Sequence, residues 1–305
     1  MAFRISRGER LKKDIKNIII LGSPHYILLD MSTIFGTALF SLGRLPDLNE
    51  WIMLFVLFIT GSIIMNGVDV AGHYTDSDVD KYQKPENPLQ KGEINQFTMK
   101  RAVKYIYILA IISLITMSVL SENLTLILVA VAGWFFGHTY VTYPIRARAN
   151  WLLASPWFSS GLAIIPLSGW VLFRQEASIY TAAIFLLFFF PLMGEFLTKE
   201  LNHLEYDSKG GLITLPMVIG NKLTGILGVF FNLFSFIILI PIFYFKGFFN
   251  EVTIILMLAP SLLATIASAQ LIRHPIKNAG SAQAWIKIAI VWIGYALLIS
   301  SLINI

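Results

Sequence analysis

The chain of 305 residues contains no cysteine and few charged residues. Without cysteine it can form neither a disulfide framework nor a thiolate metal site, and it has no cysteine nucleophile. Asp, Glu, Lys and Arg make up only 13% of the sequence, against about 25% in an ordinary soluble domain. Hydrophobic residues make up 56%, and the mean hydropathy is +0.70. These values exclude an ordinary soluble domain and predict a polytopic membrane protein.

Nine apolar segments are long enough to cross a bilayer, which takes about 20 mostly apolar residues. They cover approximately residues 22–43, 51–72, 101–120, 123–142, 151–172, 178–198, 222–245, 252–272 and 284–304. We therefore predict an all-α fold of nine transmembrane helices in a single domain that covers residues 1–305. Residues 1–16 mix six basic side chains with apolar ones, which is typical of an interfacial lead-in to the first span.

The basic residues indicate the orientation in the membrane, because Lys and Arg collect in cytoplasmic loops. With the N-terminus inside, only Arg44, Arg174 and Lys246 of the 23 basic residues fall in outer loops. This distribution explains the net charge of +5 without a nucleic-acid partner. We expect an integral protein of the cell membrane with a cytoplasmic N-terminus and an outer C-terminus. The two longest inner connections, residues 73–100 and 199–221, are then cytoplasmic.

A row of polar side chains leads out of the second span. At 100° per residue, one helical face carries Asn66, Asp69, His73, Asp76 and Asp80. Like charges on one face repel each other unless a hard cation holds them. The row therefore predicts a cation site where the helix meets water, and the alternative is a solvated helix end.

A second row follows the sixth span, where Glu200, His203 and Asp207 repeat the same spacing on one face. Two acidic rows at one depth suit an oxygen-ligated divalent cation such as Mg²⁺, which takes carboxylates, waters and substrate phosphate oxygens. Such a cation would hold a diphosphate and stabilise its negative charge as it leaves. An apolar bundle below could hold a hydrocarbon tail. The pattern thus predicts ionisation of a prenyl diphosphate at a membrane-embedded site.

Three stretches resemble motifs of the UbiA superfamily of intramembrane prenyltransferases. The run Asp76–Gly92, DSDVDKYQKPENPLQKG, is similar to the first Asp-rich signature and the Pro-containing loop behind it. Residues 199–216 resemble the second Asp-rich motif with its Thr-Leu-Pro tail. Residues 140–148 resemble the segment that follows the fourth helix in the family. The resemblance implies a ring of helices around a central cavity that holds two Mg²⁺ ions.

The resemblance also implies roles for individual residues. The implied metal ligands are Asp69, Asp76, Asp80, Glu200 and Asp207. The residues implied to act in catalysis are Asp76, Asp80, Asp207, Lys199, Tyr140 and Tyr143, the tyrosines by stabilising an allylic cation. The residues expected to bind the cofactor or the diphosphate are Lys84, Arg146, Arg148, Asn66, His73 and His203. Of these, Lys84, Arg146 and Arg148 would contact the diphosphate together with Lys199, and Asn66 would substitute, with Asp69, for the Asn-Asp pair that the motif lacks here. As an alternative to binding the diphosphate, the basic residues would only keep their loops on the cytoplasmic side of the membrane. As an alternative to a role in the site, Asn66 and Asp69 would form a buried structural pair.

Two histidines depart from the family pattern. His73 and His203 stand where the motifs carry aspartate, and neutral imidazole suits Mg²⁺ poorly. Three explanations stay open: a smaller ligand set, a protonated imidazole that hydrogen-bonds the diphosphate, or a polar helix end with no ligand role.

The function implied by residues and resemblance together is an Mg²⁺-dependent prenyltransferase. It would move a prenyl group from a prenyl diphosphate to a lipid-soluble or aromatic acceptor within the bilayer. Two alternatives are a terpene cyclase of the same fold, which acts on the diphosphate alone, and a non-enzymatic transporter that uses the polar rows as an ion path.

Overall fold

A computed structural model describes residues 7–22, 27–174 and 178–303 of the chain. The parts of the predictions that fall on residues 1–6, 23–26 and 304 lie outside these ranges. Throughout the described residues the regular structure is helical. The helices are α1 (Arg7–Leu21), α2 (Ile27–Leu42), α3 (Leu48–Thr75), α4 (Ser77–Gln83), α5 (Gln96–Ser121), α6 (Leu124–Val141), α7 (Ala154–Phe173), α8 (Ile179–Lys209), α9 (Leu215–Ile219), α10 (Asn221–Phe234), α11 (Ile240–Phe245), α12 (Glu251–Arg273) and α13 (Ala279–Ile303).

The predicted fold class is confirmed. In the described ranges, eight helical segments are long and apolar enough to cross a membrane, and α2 is a shorter apolar helix. Each of the nine predicted spans corresponds to one of these segments. The seventh span is α10 and α11 joined by a π-helical turn at Ser235–Leu239.

Polar residues in the loops set where several spans begin. Asp47 precedes α3 and accepts a hydrogen bond from the backbone N–H of Glu50, whose side chain accepts one from the N–H of Asp47 in return. At the starts of α5, α6 and α12 the side chains of Asn95, Asn123 and Asn250 accept a backbone N–H bond in the same way as Asp47 does. Such caps satisfy backbone donors that the first helical turn leaves without a partner.

The bundle closes where α13 packs against α2. Gly36 of α2 lies against the backbone carbonyl of Gly294 in α13, so closely that a Cβ atom at Gly36 would overlap it. Glycine is needed here because it has no side chain to keep the two backbones apart. Around the rest of the bundle, α2 also packs on α7, α7 on α6 and α8, and α8 on α10 and α13.

Two helices differ in extent from the predicted spans, and both differences shape the site. Helix α8 continues to Lys209, so much of the predicted inner connection 199–221 is helical. Helix α3 ends at Thr75, and Asp76, with φ −107° and ψ 23°, turns the chain into the short helix α4. The first polar row is therefore divided between two helices instead of lying on one.

Candidate functional site

A cavity of about 300 Å³ lies at the predicted inner end of the bundle. Its walls come from α3, α4, α6, α7, α8 and α13 and from the loop around Arg148. Its polar lining consists of Asp69, His73, Asp80, Gln83, Lys84, Tyr140, Arg148, Lys199, His203, Gln283 and Lys287. Apolar residues such as Met65, Val68 and Leu162 line the remainder. The cavity therefore combines a charged region with an apolar one.

Arg148 joins the two acidic rows. Its guanidinium Nη1 contacts Asp76 Oδ2, and its Nη2 lies 3.7 Å from Asp207 Oδ1. Arg146 Nη2 donates to the other oxygen of Asp76 at 3.0 Å. Burial alone would lower the pKa of Arg148, but the neighbouring carboxylates, Asp76 foremost, raise it above its ordinary value. Arg148 thus stays a cation between Asp76, which links α3 to α4, and Asp207 of α8. These two aspartates are 131 positions apart in the sequence.

Asp80 is held by two neighbours and faces the cavity. Its Oδ2 contacts Nδ1 of His73 and accepts a hydrogen bond of 3.2 Å from the side-chain amide of Asn87. A carboxylate in its ionised form can only accept hydrogen bonds, and with that form Nδ1 of His73 is the donor of the pair. His73 thereby orients Asp80, a role closer to that of a positioning group than to that of a metal ligand.

Helix α4 docks onto the C-terminal end of α8. The side-chain amide of Gln83 contacts Nδ1 of His203, which places the second histidine in a bond between the two helices. Gly210, just past α8, lies against Val79 of α4, and a Cβ atom on Gly210 would be 2.7 Å from Val79 Cγ2. This close fit brings Asp80 on α4 towards Asp207 on α8.

Four basic side chains line the cavity: Lys84, Arg148, Lys199 and Lys287. Nζ of Lys199 lies 5.0 Å from the centre of the Phe158 ring and 5.8 Å from that of Phe196, in cation–π geometry. The other three cations lie within electrostatic reach of Lys199. The lining holds two carboxylates, Asp69 and Asp80, while Asp76 and Asp207 pair with Arg148, and Glu195 pairs with Lys287. Lys84 and Lys199 are therefore the lining cations best placed to attract an anionic ligand.

Several predicted site residues lie elsewhere. Asn66 packs against the backbone of Gly22 at the end of α1 and does not line the cavity. The Glu200 carboxylate is buried outside the lining, bonded to the backbone N–H of Leu215 at the start of α9. Tyr143 is 74% exposed and stacks with Arg146. Tyr140, in contrast, is a cavity residue.

Sequence reasoning missed Gln283 and Lys287 of α13, which also line the cavity. It counted Lys287 only as a basic residue of the inner side. A signal was present, because Glu195 stands inside the apolar run of the sixth span, and an ionisable group at membrane depth calls for a partner.

The carboxylates fit a hard divalent cation such as Mg²⁺. Asp207 Oδ1 and Glu200 Oε2 are buried and have no hydrogen-bond partner among the described residues. Within those residues, no group of three or more His, Asp and Glu side chains is arranged to hold a metal ion. Mg²⁺, however, usually takes one or two carboxylates and completes its shell with water and substrate phosphate oxygens. Asp80 lines the cavity, and Asp207 lies outside the lining beside Arg148, so these two are the carboxylates best placed to serve such an ion.

Characterised proteins of similar sequence are prenyl-transferring enzymes. The chain is 27% identical over 229 residues to protoheme IX farnesyltransferase of Aquifex aeolicus, which covers 73% of each protein. It is 24% identical over 270 residues to digeranylgeranylglyceryl phosphate synthase of Sulfurisphaera tokodaii, covering 87% of this chain and 92% of that protein.

Solved structures share the fold. A structure described for digeranylgeranylglyceryl phosphate synthase in membranes matches with a TM-score of 0.70 and 23% identity, over 96% of this chain and 99% of that one. A UbiA homologue from Archaeoglobus fulgidus bound to GPP and Mg²⁺ matches with a TM-score of 0.67 and 16% identity, over 92% and 99%. The UbiA prenyltransferase family model matches residues 30–299, which include every residue that lines the cavity, and the chain therefore belongs to the UbiA prenyltransferase family.

Proposed function

We propose that this chain transfers a prenyl group from a prenyl diphosphate to a hydrophobic or aromatic acceptor within the membrane, with Mg²⁺ as cofactor. The observation that carries the proposal is the single cavity in which the acidic and basic side chains of α4, α8 and the Arg148 loop meet above apolar walls. Prenyl transfer is the activity of the relatives and of the family. A charged head and a long apolar tail are also what the two regions of the cavity would accommodate.

The diphosphate is bound at the charged end of the cavity. Lys84 and Lys199 supply ammonium groups for its oxygens, and Arg148 contributes a guanidinium that is held in place by Asp76 and Asp207. The C–O bond of the donor breaks, the diphosphate leaves with the electron pair, and the allylic cation is captured by the acceptor, which then loses a proton. The buried ring of Tyr140, which faces the same cavity, is suited to stabilise the cation.

Asp80 and Asp207 are the residues we expect to hold Mg²⁺. When bound, the ion neutralises charge that builds up on the departing diphosphate. Each oxygen of Asp76 already pairs with an arginine, Arg146 or Arg148, so Asp76 is less available to the ion than Asp80 and Asp207 are. A homologue of the same fold is bound to GPP and Mg²⁺, which supports the proposal without identifying the ligands in this chain.

The test is diphosphate release from geranyl, farnesyl and geranylgeranyl diphosphate by the purified protein, with and without Mg²⁺, across a panel of lipid and aromatic acceptors. We expect release to depend on both Mg²⁺ and an acceptor. Asp207→Asn should reduce the rate about 100-fold, the scale of losing one charge-stabilising group. Asp78→Asn, which changes an exposed carboxylate on α4, is the matched control and should leave the rate unchanged.

The alternatives give different results in the same assay. A terpene cyclase would release diphosphate and a hydrocarbon with no acceptor present. A transporter would release none, and Asp207→Asn would leave its affinity for diphosphate unchanged. Either result would overturn prenyl transfer as the function.

A further inference from the structure

Helix α1 has one face turned away from the bundle. Its apolar residues Leu11, Ile15 and Ile19 are 60%, 49% and 54% exposed. They are spaced four positions apart, so they form one stripe along the helix. Such a stripe is the surface that an interfacial helix buries at the boundary between head groups and acyl chains.

The opposite face of α1 is fixed to the bundle. Asn17 and Leu21 are 3% and 1% exposed, and Leu21 shares a hydrophobic core with Val70 of α3. Just past the helix, a Cβ atom on Gly22 would lie 1.5 Å from Nδ2 of Asn66. Helix α1 is therefore seated on α3, with further contacts to α5, and its exposed stripe has a defined place in the fold.

Lysines border the stripe on one side. Lys12 and Lys16 each follow a residue of the stripe by one position, which places them about 100° further round the helix, and both are exposed. A lysine in this position lays its methylene groups along apolar surface and keeps its ammonium among head groups or water. An anionic lipid, with its charged head directly above its acyl chains, matches this order of groups.

The start of α5 extends the basic surface. Nζ of Lys13 lies 3.8 Å from Oε2 of Glu93 in the loop before α5, which brings the first turns of α5 next to α1. Across α1, residues 92–95 and the first nine residues of α5, the described charged side chains are six basic and three acidic: Lys12, Lys13, Lys16, Lys100, Arg101 and Lys104, with Glu9, Asp14 and Glu93. A cluster of four to eight basic residues beside a membrane helix is typical of a surface that attracts anionic lipids.

We propose that α1 and the start of α5 form a binding surface for anionic phospholipids, with the apolar stripe against the acyl chains and Lys12 and Lys16 at the head groups. The partner is the negatively charged leaflet on the predicted cytoplasmic side. None of the residues of this surface lines the cavity. The phospholipid is therefore a ligand additional to the two substrates of the proposed reaction.

The competing explanation is that these lysines only orient the chain in the membrane, as basic residues of any inner segment do. In that case the lipids beside α1 would have the composition of the surrounding bilayer. A binding surface predicts instead that anionic lipid is enriched beside α1. The enrichment should depend on Lys12 and Lys16 and not on a lysine elsewhere at the inner end of the bundle.

The experiment measures which lipids contact α1 in the purified full chain, reconstituted in phosphatidylcholine vesicles. Because the chain has no cysteine, the fluorophore NBD is attached at Leu11→Cys alone. Its fluorescence is quenched in parallel titrations by doxyl-labelled phosphatidylglycerol and by doxyl-labelled phosphatidylcholine with the same acyl chains. We expect half-maximal quenching at a mole fraction of labelled phosphatidylglycerol at least about fivefold lower, the scale of one lysine beside an anionic head group.

Variants in the same labelled chain identify the groups responsible. Lys12→Gln combined with Lys16→Gln should remove most of the preference, and Lys12→Arg combined with Lys16→Arg should keep it. Lys222→Gln, which removes an exposed lysine at the start of α10, is the matched control and should keep all of it.

Three results would overturn the proposal: equal quenching by the two lipids in the chain that carries only the label, an undiminished preference in the double glutamine variant, or an equal loss in Lys222→Gln, which would assign the preference to the net charge of the whole chain. If the double variant does not fold, about 1 M NaCl replaces it, since the screening length there is about 3 Å. A preference that survives this salt would equally contradict the proposal. No prenyl substrate is present, so the outcome is independent of prenyl transfer.

Discussion

Asp76 and Asp80 of the first Asp-rich motif have different surroundings. Asp76 is 1% exposed, and each of its oxygens meets an arginine, Arg146 or Arg148. Asp80 lines the cavity, where His73 and Asn87 contact one of its oxygens. Removing one partner of a buried ion pair leaves the other charge uncompensated, which is strongly destabilising. Asp76 therefore has a structural role in joining α3 to the Arg148 loop, whatever it contributes to binding the cation.

His73 allows a test of how Asp80 is positioned. His73→Ala removes the imidazole that contacts Asp80. We expect the Mg²⁺ concentration for half-maximal diphosphate release to rise about tenfold, because losing a side chain that orients a metal ligand typically lowers metal affinity by about 10–100-fold. His73→Asn keeps a donor near the position of Nδ1 and should lose less. The measurement is an Mg²⁺ titration of both variants beside the wild type.

The same titration separates the explanations for a histidine at this position. If His73→Asn is as impaired as His73→Ala and the KM for the prenyl diphosphate rises in both, the imidazole itself contacts the diphosphate. If neither variant differs from the wild type, His73 is a polar helix end without a role in the site.

Among the helices, the contact between α4 and α8 decides whether the two acidic rows meet. Gly210 has an ordinary φ of −81°, so alanine there meets no backbone strain. Its Cβ would, however, lie 2.7 Å from Val79 Cγ2 and 2.9 Å from Val79 Cα. Gly210→Ala must displace α4, and overpacking of this kind typically costs about 1–3 kcal/mol. We expect a lower melting temperature and a fall of at least about tenfold in the rate of diphosphate release.

Two further variants isolate that contact. Ser208→Ala changes an exposed residue on the same turn of α8 and should behave as the wild type. Val79→Ala removes the nearest of the clashing atoms, so Gly210→Ala combined with Val79→Ala should recover part of the activity that Gly210→Ala loses. Equal losses in the single Gly210→Ala and double variants would show that the contact with Val79 Cγ2 is not the cause of the defect.

Across the whole molecule, the helical bundle was predictable and the details of the site only partly so. Segment length and hydropathy suffice for the spans because the bilayer requires about 20 apolar residues in each. The motifs also identified Asp80 and Asp207, whose helices meet beside Arg148. The position of Asn66 was not predictable, since it depends on how closely α1 approaches α3 at Gly22. Gln283 and Lys287 escaped notice because their partner, Glu195, is 88 positions from Gln283 in sequence.

The orientation in the membrane is the remaining prediction at the scale of the molecule, and the chain is well suited to test it. It has no cysteine, so a single introduced cysteine is labelled without background. Leu45, 52% exposed before α3, belongs to a predicted outer loop, and Lys277, exposed before α13, to a predicted inner one. In intact cells we expect a membrane-impermeant maleimide to label Leu45→Cys. It should label Lys277→Cys only after the cells are permeabilised. The reason is that 20 of the 23 Lys and Arg residues lie in segments predicted to be cytoplasmic. The reverse labelling pattern would place the cavity mouth and its cations on the outer side of the membrane. Labelling of both cysteine variants in intact cells would contradict the predicted number of spans between positions 45 and 277.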